Sequence, residues 1–285
     1  MKKSNALRKF WYNLPPNQRY KVRRLYYFPA DLFDTITGKK NKYVPPRGYI
    51  YTGSSSNAKN YLEQGREQLD ILKNELLLRP NDHVLDIGSG IGRTAIALTQ
   101  YLNREGQYEG FDAVEKGVKW CNTKLKKDFP NFNFKYIPLN NDLYNNSGID
   151  ASKFDFPYKD RTFNKVFLFS VFTHMQINEI KNYLKEIERV LEPGGMCLAT
   201  LFIYSSEIEK YICERDYFSF PVKKEGYRLM NNTVKSANVA ISIDKLNEMI
   251  LATGLKKVKL IDGFWKDAKR KKNKIEFQDI LILKK

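Results

Sequence analysis

Short apolar runs alternate with amphipathic segments along most of the chain. The runs predict strands, and segments with apolar residues at a spacing near 3.6 predict helices. Strands that alternate with helices indicate an α/β fold with a doubly wound parallel sheet. The predicted strands are residues 84–87, 108–111, 132–137, 163–170, 196–203, 258–264 and 275–283. The predicted helices are residues 57–78, 94–102, 115–127, 178–191 and 242–252.

Two segments depart from this alternation. Residues 1–50 are basic and aromatic, and prolines divide them, so we expect an N-terminal arm or a pair of short helices. At 285 residues and 42% hydrophobic content the chain is long enough for one full core. We therefore predict a main domain at residues 51–285, with an insert at about 204–240, where Tyr, Lys and Glu interrupt the pattern.

The net charge of +17 is unevenly distributed. Residues 1–47 contain 12 Lys and Arg against two Asp, a net charge of +10, and residues 256–285 contain 11 against four acids, a net charge of +7. Residues 48–255 are therefore neutral. Basic residues mixed with aromatic rings are typical of contact with an anionic membrane surface or with single-stranded nucleic acid. The alternative is a solvated arm whose rings pack on the domain.

Apolar runs and cysteine spacing bear on the cellular compartment of the protein. No apolar run approaches the ~20 residues that a membrane span needs, and residues 1–9 lack the apolar centre of a signal peptide. We expect a cytoplasmic protein, with peripheral contact at the inner membrane surface through residues 1–50 as an alternative. Cys121, Cys197 and Cys213 show no paired spacing, so we expect reduced thiols and no metal site.

A glycine turn (residues 88–92) follows the first predicted strand. Gly88, Gly90 and Gly92 allow a ligand to approach the backbone, and the next helix presents unpaired N–H groups there. A dinucleotide fingerprint has a longer second interval between its glycines. Asp86 would repel a pyrophosphate but attract a cationic sulfonium or ammonium group, so the sequence favours S-adenosylmethionine. Asp112, 20 residues past Gly92, suits a carboxylate that binds ribose hydroxyls.

His174 follows the fourth predicted strand, at the edge of the sheet where ligands of such folds bind. With an ordinary pKa near ~6.5 it suits a base that takes a proton from a hydroxyl. The alternative is a histidine that only shapes the pocket. His83 precedes the first strand, and we expect it at the surface or in a turn.

The glycine turn with Asp86, the strand-end Asp112 and residues 188–195 resemble the successive motifs of class I S-adenosylmethionine-dependent methyltransferases. The resemblance implies a seven-stranded Rossmann-like sheet whose last strand runs antiparallel, with S-adenosylmethionine as cofactor. A narrower resemblance is to a bacterial subgroup associated with polysaccharide and surface-glycan synthesis, and it covers most of residues 45–285. The segments that carry the narrower resemblance are residues 108–112, 120–121, 170–175 and 277–280.

The resemblance also implies roles for individual residues. It places Asp86 and the glycines at the methionine portion of the cofactor and Asp112 at the ribose. The acid that usually contacts adenine corresponds to Pro138, so we expect the Leu139 backbone, Asn140 or Asn141 to replace it. The predicted cofactor contacts are Asp86, Gly88, Ser89, Gly90, Gly92, Arg93, Asp112, Ala113, Leu139, Asn140, Phe169 and Ser170.

The leading functional hypothesis is O-methylation of a sugar or glycan precursor by in-line displacement, with His174 as the catalytic base. Alternatives are a small-molecule or peptide O- or N-methyltransferase, an RNA-binding methyltransferase, and a cofactor-binding scaffold without activity. Nucleic acid is the less expected partner, because the charge is confined to the ends. In addition, residues 170–173 lack the aromatic-proline tetrapeptide typical of base-amine methylation.

Overall fold

The computed structural model describes residues 14–38, 41–51, 57–144, 148–266 and 275–285. Part of the predicted arm (1–13) and most of the basic tract before the last strand (267–274) lie outside the described residues. The strands are β1 His83–Ile87, β2 Gln107–Asp112, β3 Phe132–Tyr136, β4 Phe163–Leu168, β5 Leu191–Tyr204, β6 Val222–Lys224, β7 Tyr227–Leu229, β8 Val239–Ser242, β9 Lys256–Ile261 and β10 Asp279–Lys284. The α-helices are α1 Pro16–Ile36, α2 Ala58–Glu75, α3 Arg93–Leu98, α4 Glu115–Cys121, α5 Ile177–Val190, α6 Ser206–Glu214 and α7 Ile243–Leu251.

The central sheet follows the predicted plan. Strands β3, β2, β1, β4 and β5 lie side by side in that order, and all of them are parallel. Strand β10 then pairs antiparallel with β5 on one side and with β9 on the other. The predicted Rossmann-like sheet with an antiparallel last strand is confirmed, and it brings the carboxyl ends of five parallel strands to one edge.

Helices cover both faces of the sheet, and the central strand β1 contributes apolar side chains to the core on each face. Successive side chains of a strand point to opposite faces. Val84 of β1 belongs to the apolar core that includes Leu72 of α2 and Leu98 of α3. Its neighbour Leu85 belongs to the opposite core, which includes Leu184 of α5. Burial on both faces holds β1 in the centre of the sheet, so Asp86 and the glycine turn lie at the edge where the strand ends.

The N-terminal segment differs from the prediction of short pieces. Helix α1 is a single helix of 21 residues with Pro29 in its interior. It is attached by Asp31, whose carboxylate accepts hydrogen bonds from the backbone N–H groups of Arg47 at 2.7 Å and Gly48 at 3.1 Å. The Asp34 carboxylate accepts a hydrogen bond from the Arg47 guanidinium at 2.7 Å. The helix thus lies against the start of the main fold.

The segment predicted as an insert extends β5 beyond its pairing with β4. Residues 202–204 of β5 pair in parallel with β8, which continues antiparallel to β7 and then to β6. Arg228 of β7 ties this small sheet to α6, because its guanidinium donates to Glu209 at 2.9 Å and to the Phe220 carbonyl oxygen at 3.1 Å. The insert therefore projects from the sheet edge at which the parallel strands end.

Asp279, the first residue of β10, is fully buried and joins three segments. Its carboxylate accepts hydrogen bonds from the backbone N–H groups of Ile203 at 2.7 Å and Gly263 at 2.8 Å, and from Trp265 Nε1 at 2.8 Å. The Lys266 ammonium lies 3.1 Å from the same carboxylate. Burial raises the pKa of Asp279, while Lys266 and the hydrogen bonds oppose that shift.

Replacement of Asp279 by Ala should lower the free energy of unfolding by roughly 3–5 kcal/mol, because it leaves three buried donors without an acceptor. Urea unfolding followed by circular dichroism measures the change. Asp262→Ala is the matched control, since Asp262 pairs with the same Lys266 but its side chain is 60% exposed. The control should change the free energy of unfolding by less than about 1 kcal/mol. Equal losses for the two variants would contradict the proposed role.

Candidate functional site

A cavity of about 960 Å³ lies at the carboxyl ends of the parallel strands. Its walls come from the glycine turn, the ends of β2 and β4, helix α1, helix α2 and the insert. Every predicted cofactor residue except Gly92 lines this cavity, and so does His174. The fold therefore brings together predicted site residues that span 88 positions of the sequence, from Asp86 to His174.

Gly92 does not line the cavity, in contrast to the prediction. It lies at the N-terminus of α3 with a φ angle of 85°, a conformation that favours glycine. A Cβ atom there would lie 2.9 Å from Cys121 Sγ and 3.0 Å from Leu125 Cδ1. The residue thus permits close packing of α3 on α4 and the π-helical turn that follows it. Gly88 and Gly90 remain as the glycines that line the cavity.

Asp86 is buried at the end of β1, where it is 4% exposed. The Tyr108 hydroxyl donates a hydrogen bond of 2.6 Å to its carboxylate. Burial raises the pKa of Asp86 to about 7, an effect that Asp112 strengthens and that Tyr108 and Arg93 oppose. The negative charge of this carboxylate is therefore incompletely compensated by the protein.

Asp112 occupies the corresponding position at the end of β2. Its carboxylate accepts hydrogen bonds from the backbone N–H groups of Gly90 at 2.8 Å and Val114 at 2.7 Å. Burial raises its pKa to about 6, although these two N–H groups and the Tyr51 hydroxyl favour the charged form. The contact with Gly90 connects the strand end directly to the glycine turn.

A row of aromatic rings leads from Asp112 to His174. The Tyr51 hydroxyl lies 3.4 Å from Asp112 Oδ1, and its ring meets that of Tyr20 at 5.8 Å, centroid to centroid, and that of Tyr144 at 6.3 Å. The Tyr144 ring in turn meets the His174 imidazole edge-on at 5.9 Å. The three tyrosines were not predicted as site residues, because each lies in a segment without periodicity or in the predicted arm.

The His174 imidazole is fixed by the insert. Its Nδ1 lies 2.8 Å from the Ser236 carbonyl oxygen. A carbonyl oxygen only accepts, so the neutral ring carries its proton on Nδ1 and its lone pair on Nε2. Burial lowers the pKa of His174 below 6.5, while the backbone of Ser236 and Ala237 opposes that shift. His83, by contrast, is exposed, as predicted.

The segment after β3 limits the possible adenine contacts. The Pro138 carbonyl oxygen accepts a hydrogen bond of 2.7 Å from the Ile149 N–H. The Asn141 side chain donates to the His174 carbonyl oxygen at 2.9 Å and accepts from the Leu143 N–H at 3.1 Å, so both of its ends are used within the protein. Leu139 and Asn140 line the cavity and remain the predicted substitutes for the usual acid.

Ser170 adopts a strained conformation where β4 ends, with a φ angle of 59°. Its N–H donates to Thr200 Oγ1 at 2.7 Å, and its hydroxyl accepts from Gln278 Nε2 at 2.8 Å. Gln278 Oε1 and Ser89 Oγ are buried, line the same cavity and have no hydrogen-bond partner among the described residues. Buried polar atoms normally have a hydrogen-bond partner, so these two atoms are available to a polar ligand or to water in the cavity.

Helix α1 adds positive charge to the cavity wall. Arg19 is 7% exposed, and its guanidinium donates to the carbonyl oxygens of Leu14 at 2.7 Å and Leu143 at 3.1 Å. Arg23 lies one turn further along, and its Nε is buried without a partner among the described residues. Both arginines line the cavity. The sequence analysis placed them in a basic arm and did not assign them to the site.

The described part of the chain contains no group of three or more His, Cys, Asp or Glu side chains that could hold a metal ion. The polar groups of the cavity instead suit an organic ligand with cationic and polar parts. Asp86 and Asp112 offer two buried carboxylates, and Ser89 and Gln278 offer unpartnered polar atoms. A sulfonium and an ammonium group would be stabilised beside the carboxylates, so the site fits S-adenosylmethionine.

Comparisons with known proteins agree with this chemistry. The family described as "Methyltransferase domain" matches residues 85–199. The ubiquinone/menaquinone biosynthesis C-methyltransferase UbiE of Wigglesworthia glossinidia brevipalpis is 26% identical over 179 residues, which are 60% of this chain and 65% of that protein. The putative methyltransferase YrhH of Bacillus subtilis (strain 168) is 28% identical over 133 residues, 47% of this chain and 64% of that protein. The chain thus spans less than two thirds of the length of both relatives.

The crystal structure of the PH0226 protein from Pyrococcus horikoshii OT3 matches with a TM-score of 0.53 and 17% identity, over 80% of this chain and 92% of that chain. At this identity the match establishes the fold, and the assignment of the domain rests on residues 85–199. Residues 85–199 therefore match a methyltransferase domain, the sheet has the class I methyltransferase fold, and S-adenosylmethionine is the cofactor that this domain and the buried carboxylates of the site imply.

Proposed function

We propose that the protein transfers the methyl group of S-adenosylmethionine to a hydroxyl oxygen of a sugar in an anionic glycan precursor. The position of His174 carries this proposal. The imidazole lines the same cavity as Asp86 and Asp112, and its hydrogen bond to the Ser236 carbonyl oxygen leaves the lone pair on Nε2. A hydroxyl is a weak nucleophile that benefits from a base, whereas an amine already carries a free electron pair.

The residues of the cavity have separate roles in the proposed reaction. When bound, S-adenosylmethionine supplies an electrophilic methyl group on a positively charged sulfur. Asp86 would stabilise the positive end of the cofactor, and Asp112 would accept hydrogen bonds from its ribose hydroxyls. The rings of Tyr51 and Tyr144 connect Asp112 with His174 along the cavity wall. Nε2 of His174 takes the proton of the acceptor hydroxyl as its oxygen attacks in line. Asn141 holds the backbone of His174 during this step.

The arginines of α1 support an acceptor with an anionic group. Arg19 and Arg23 line the cavity, and Arg23 Nε has no partner among the described residues. Guanidinium groups bind phosphate and carboxylate oxygens through paired N–H donors. Activated sugars are carried on phosphate groups, so a glycan precursor provides both the hydroxyl and the anion. The Arg23 guanidinium lies 5.1 Å from the centroid of the Tyr27 ring, and its Nε is the donor that would bind such an anion.

A second candidate is methylation of a carbon atom in an electron-rich ring. The name of the UbiE relative gives ubiquinone and menaquinone biosynthesis as the setting of its C-methylation. His174 would then deprotonate a phenolic hydroxyl so that a ring carbon beside it attacks the methyl group, and the proton of that carbon would pass to solvent as the ring regains aromaticity. Aromatic side chains would stack on the ring. The phenylalanines that line the cavity are Phe111, Phe169, Phe202, Phe218, Phe264 and Phe277.

Mass spectrometry of native cells with and without the gene tests the two candidates. We expect one methyl group to disappear from a surface glycan or its phosphorylated precursor when the gene is deleted. The wild-type gene should restore the methyl group, and a gene encoding His174→Ala should not. An unchanged glycan together with a quinone pool that lacks a methyl group would contradict O-methylation and support the second candidate.

The pH dependence of turnover tests the role of His174. Because burial lowers the His174 pKa, the base is neutral at pH 7, and kcat measured at saturating S-adenosylmethionine should rise with pH through a pKa below 6.5. His174→Gln should lower kcat by about 10²–10⁴-fold and remove that inflection, with the affinity for S-adenosylmethionine unchanged. His83→Gln is the matched control at an exposed histidine. A variant His174→Gln that keeps the inflection would show that another group is the base.

A further inference from the structure

Helix α1 has charged side chains on the face toward the protein and apolar side chains on the opposite face. The face toward the protein carries Arg19, Arg23, Asp31 and Asp34, which bind backbone groups, line the cavity or pair with Arg47. The opposite face is apolar and open to solvent. Its exposed apolar residues, together called the outward face of α1, are Val22, Leu25, Tyr26, Phe28, Leu32, Phe33 and Ile36.

The outward face forms one continuous stripe. Val22, Leu25, Leu32 and Ile36 follow the three- and four-residue spacing that places side chains on one side of a helix. Leu25 is 76% exposed and Ile36 is 75% exposed, so none of the described residues covers them. A surface helix of a soluble domain normally turns such a stripe inward. An exposed apolar stripe of this length marks an interaction surface.

Charge decides between the candidate occupants of this surface. Lys21 and Arg24 of α1 are exposed, and residues 1–47 have a net charge of +10 from 12 basic and two acidic residues. A second copy of the chain, with its own net charge of +17, would be repelled. An anionic lipid surface attracts the charges and also accepts apolar and aromatic side chains among its headgroups. The combination therefore favours a membrane.

We propose that the outward face of α1 lies in the interface of an anionic membrane. The helix lies parallel to the surface, with Leu25, Leu32 and Ile36 among the acyl chains and Lys21 at the headgroups, while Arg24 lies over the Tyr49 ring at 4.9 Å. Since no described helix is long and apolar enough to cross a bilayer, this contact is peripheral. The inward face of the same helix contributes Arg19, Tyr20 and Arg23 to the cavity, so binding would bring the cavity close to the lipid surface.

Flotation of the full chain with vesicles tests this proposal without reference to the methyl acceptor. Wild-type protein should float with vesicles of phosphatidylcholine and phosphatidylglycerol and bind vesicles of phosphatidylcholine alone much more weakly. Leu25→Glu and Leu32→Glu should each lower the partition coefficient about tenfold or more, because a charge replaces an inserted leucine. Leu251→Glu is the matched control, since Leu251 of α7 is 83% exposed on another helix, and its partitioning should equal that of wild type.

Unchanged affinity for S-adenosylmethionine and unchanged thermal unfolding would show that the variants remain folded. Three results would overturn the proposal. The first is absence of binding to the anionic vesicles, and the second is equal loss of binding in Leu25→Glu and Leu251→Glu. The third is that Leu25→Glu keeps its binding to vesicles but abolishes dimerisation without lipid or binding to a single-stranded RNA oligonucleotide.

Discussion

Burial of two carboxylates at one edge of the sheet is the constraint on which the site depends. Asp86 and Asp112 end neighbouring parallel strands, and each is less than one tenth exposed. Burial raises their pKa values to about 7 and about 6, so the hydrogen bonds of the protein only partly stabilise the two negative charges. A cationic ligand relieves this cost. The glycine turn allows such a ligand to approach, and the Gly90 N–H links the turn to Asp112.

Much of the fold was predictable because its signals are local. A buried strand, a glycine turn and a capped helix each have a pattern within a few residues, and parallel strands bring their ends to one edge. The Rossmann-like sheet with an antiparallel last strand followed from the resemblance of the motifs and is confirmed. Gly92 was predicted to contact the cofactor, but its conformation serves the contact of α3 with Cys121 and Leu125.

The site residues that were not predicted have one physical feature in common. Tyr51, Tyr144 and Gln278 reach the cavity through contacts between segments far apart in the chain, and no local spacing signals such contacts. Helix α1 was missed as one helix because prolines and basic residues suggested short pieces. Its interior Pro29 is tolerated in a helix that the Asp31 and Asp34 contacts attach to the fold. The same helix then supplies arginines to the cavity and an apolar face to the outside.

The central claim is that the Asp86 carboxylate binds the positive charge of the cofactor, and calorimetric titration with S-adenosylmethionine across pH tests it most directly. Below about pH 7 the Asp86 carboxylate of the free protein holds a proton that a cation must displace. Kd should therefore fall by up to about tenfold for each unit that pH rises from about 5 to 7, and then level off. Asp86→Asn should weaken this dependence, and S-adenosylhomocysteine, which lacks the sulfonium charge, should show less of it. A Kd for S-adenosylmethionine that does not change with pH in the wild-type protein would contradict the account.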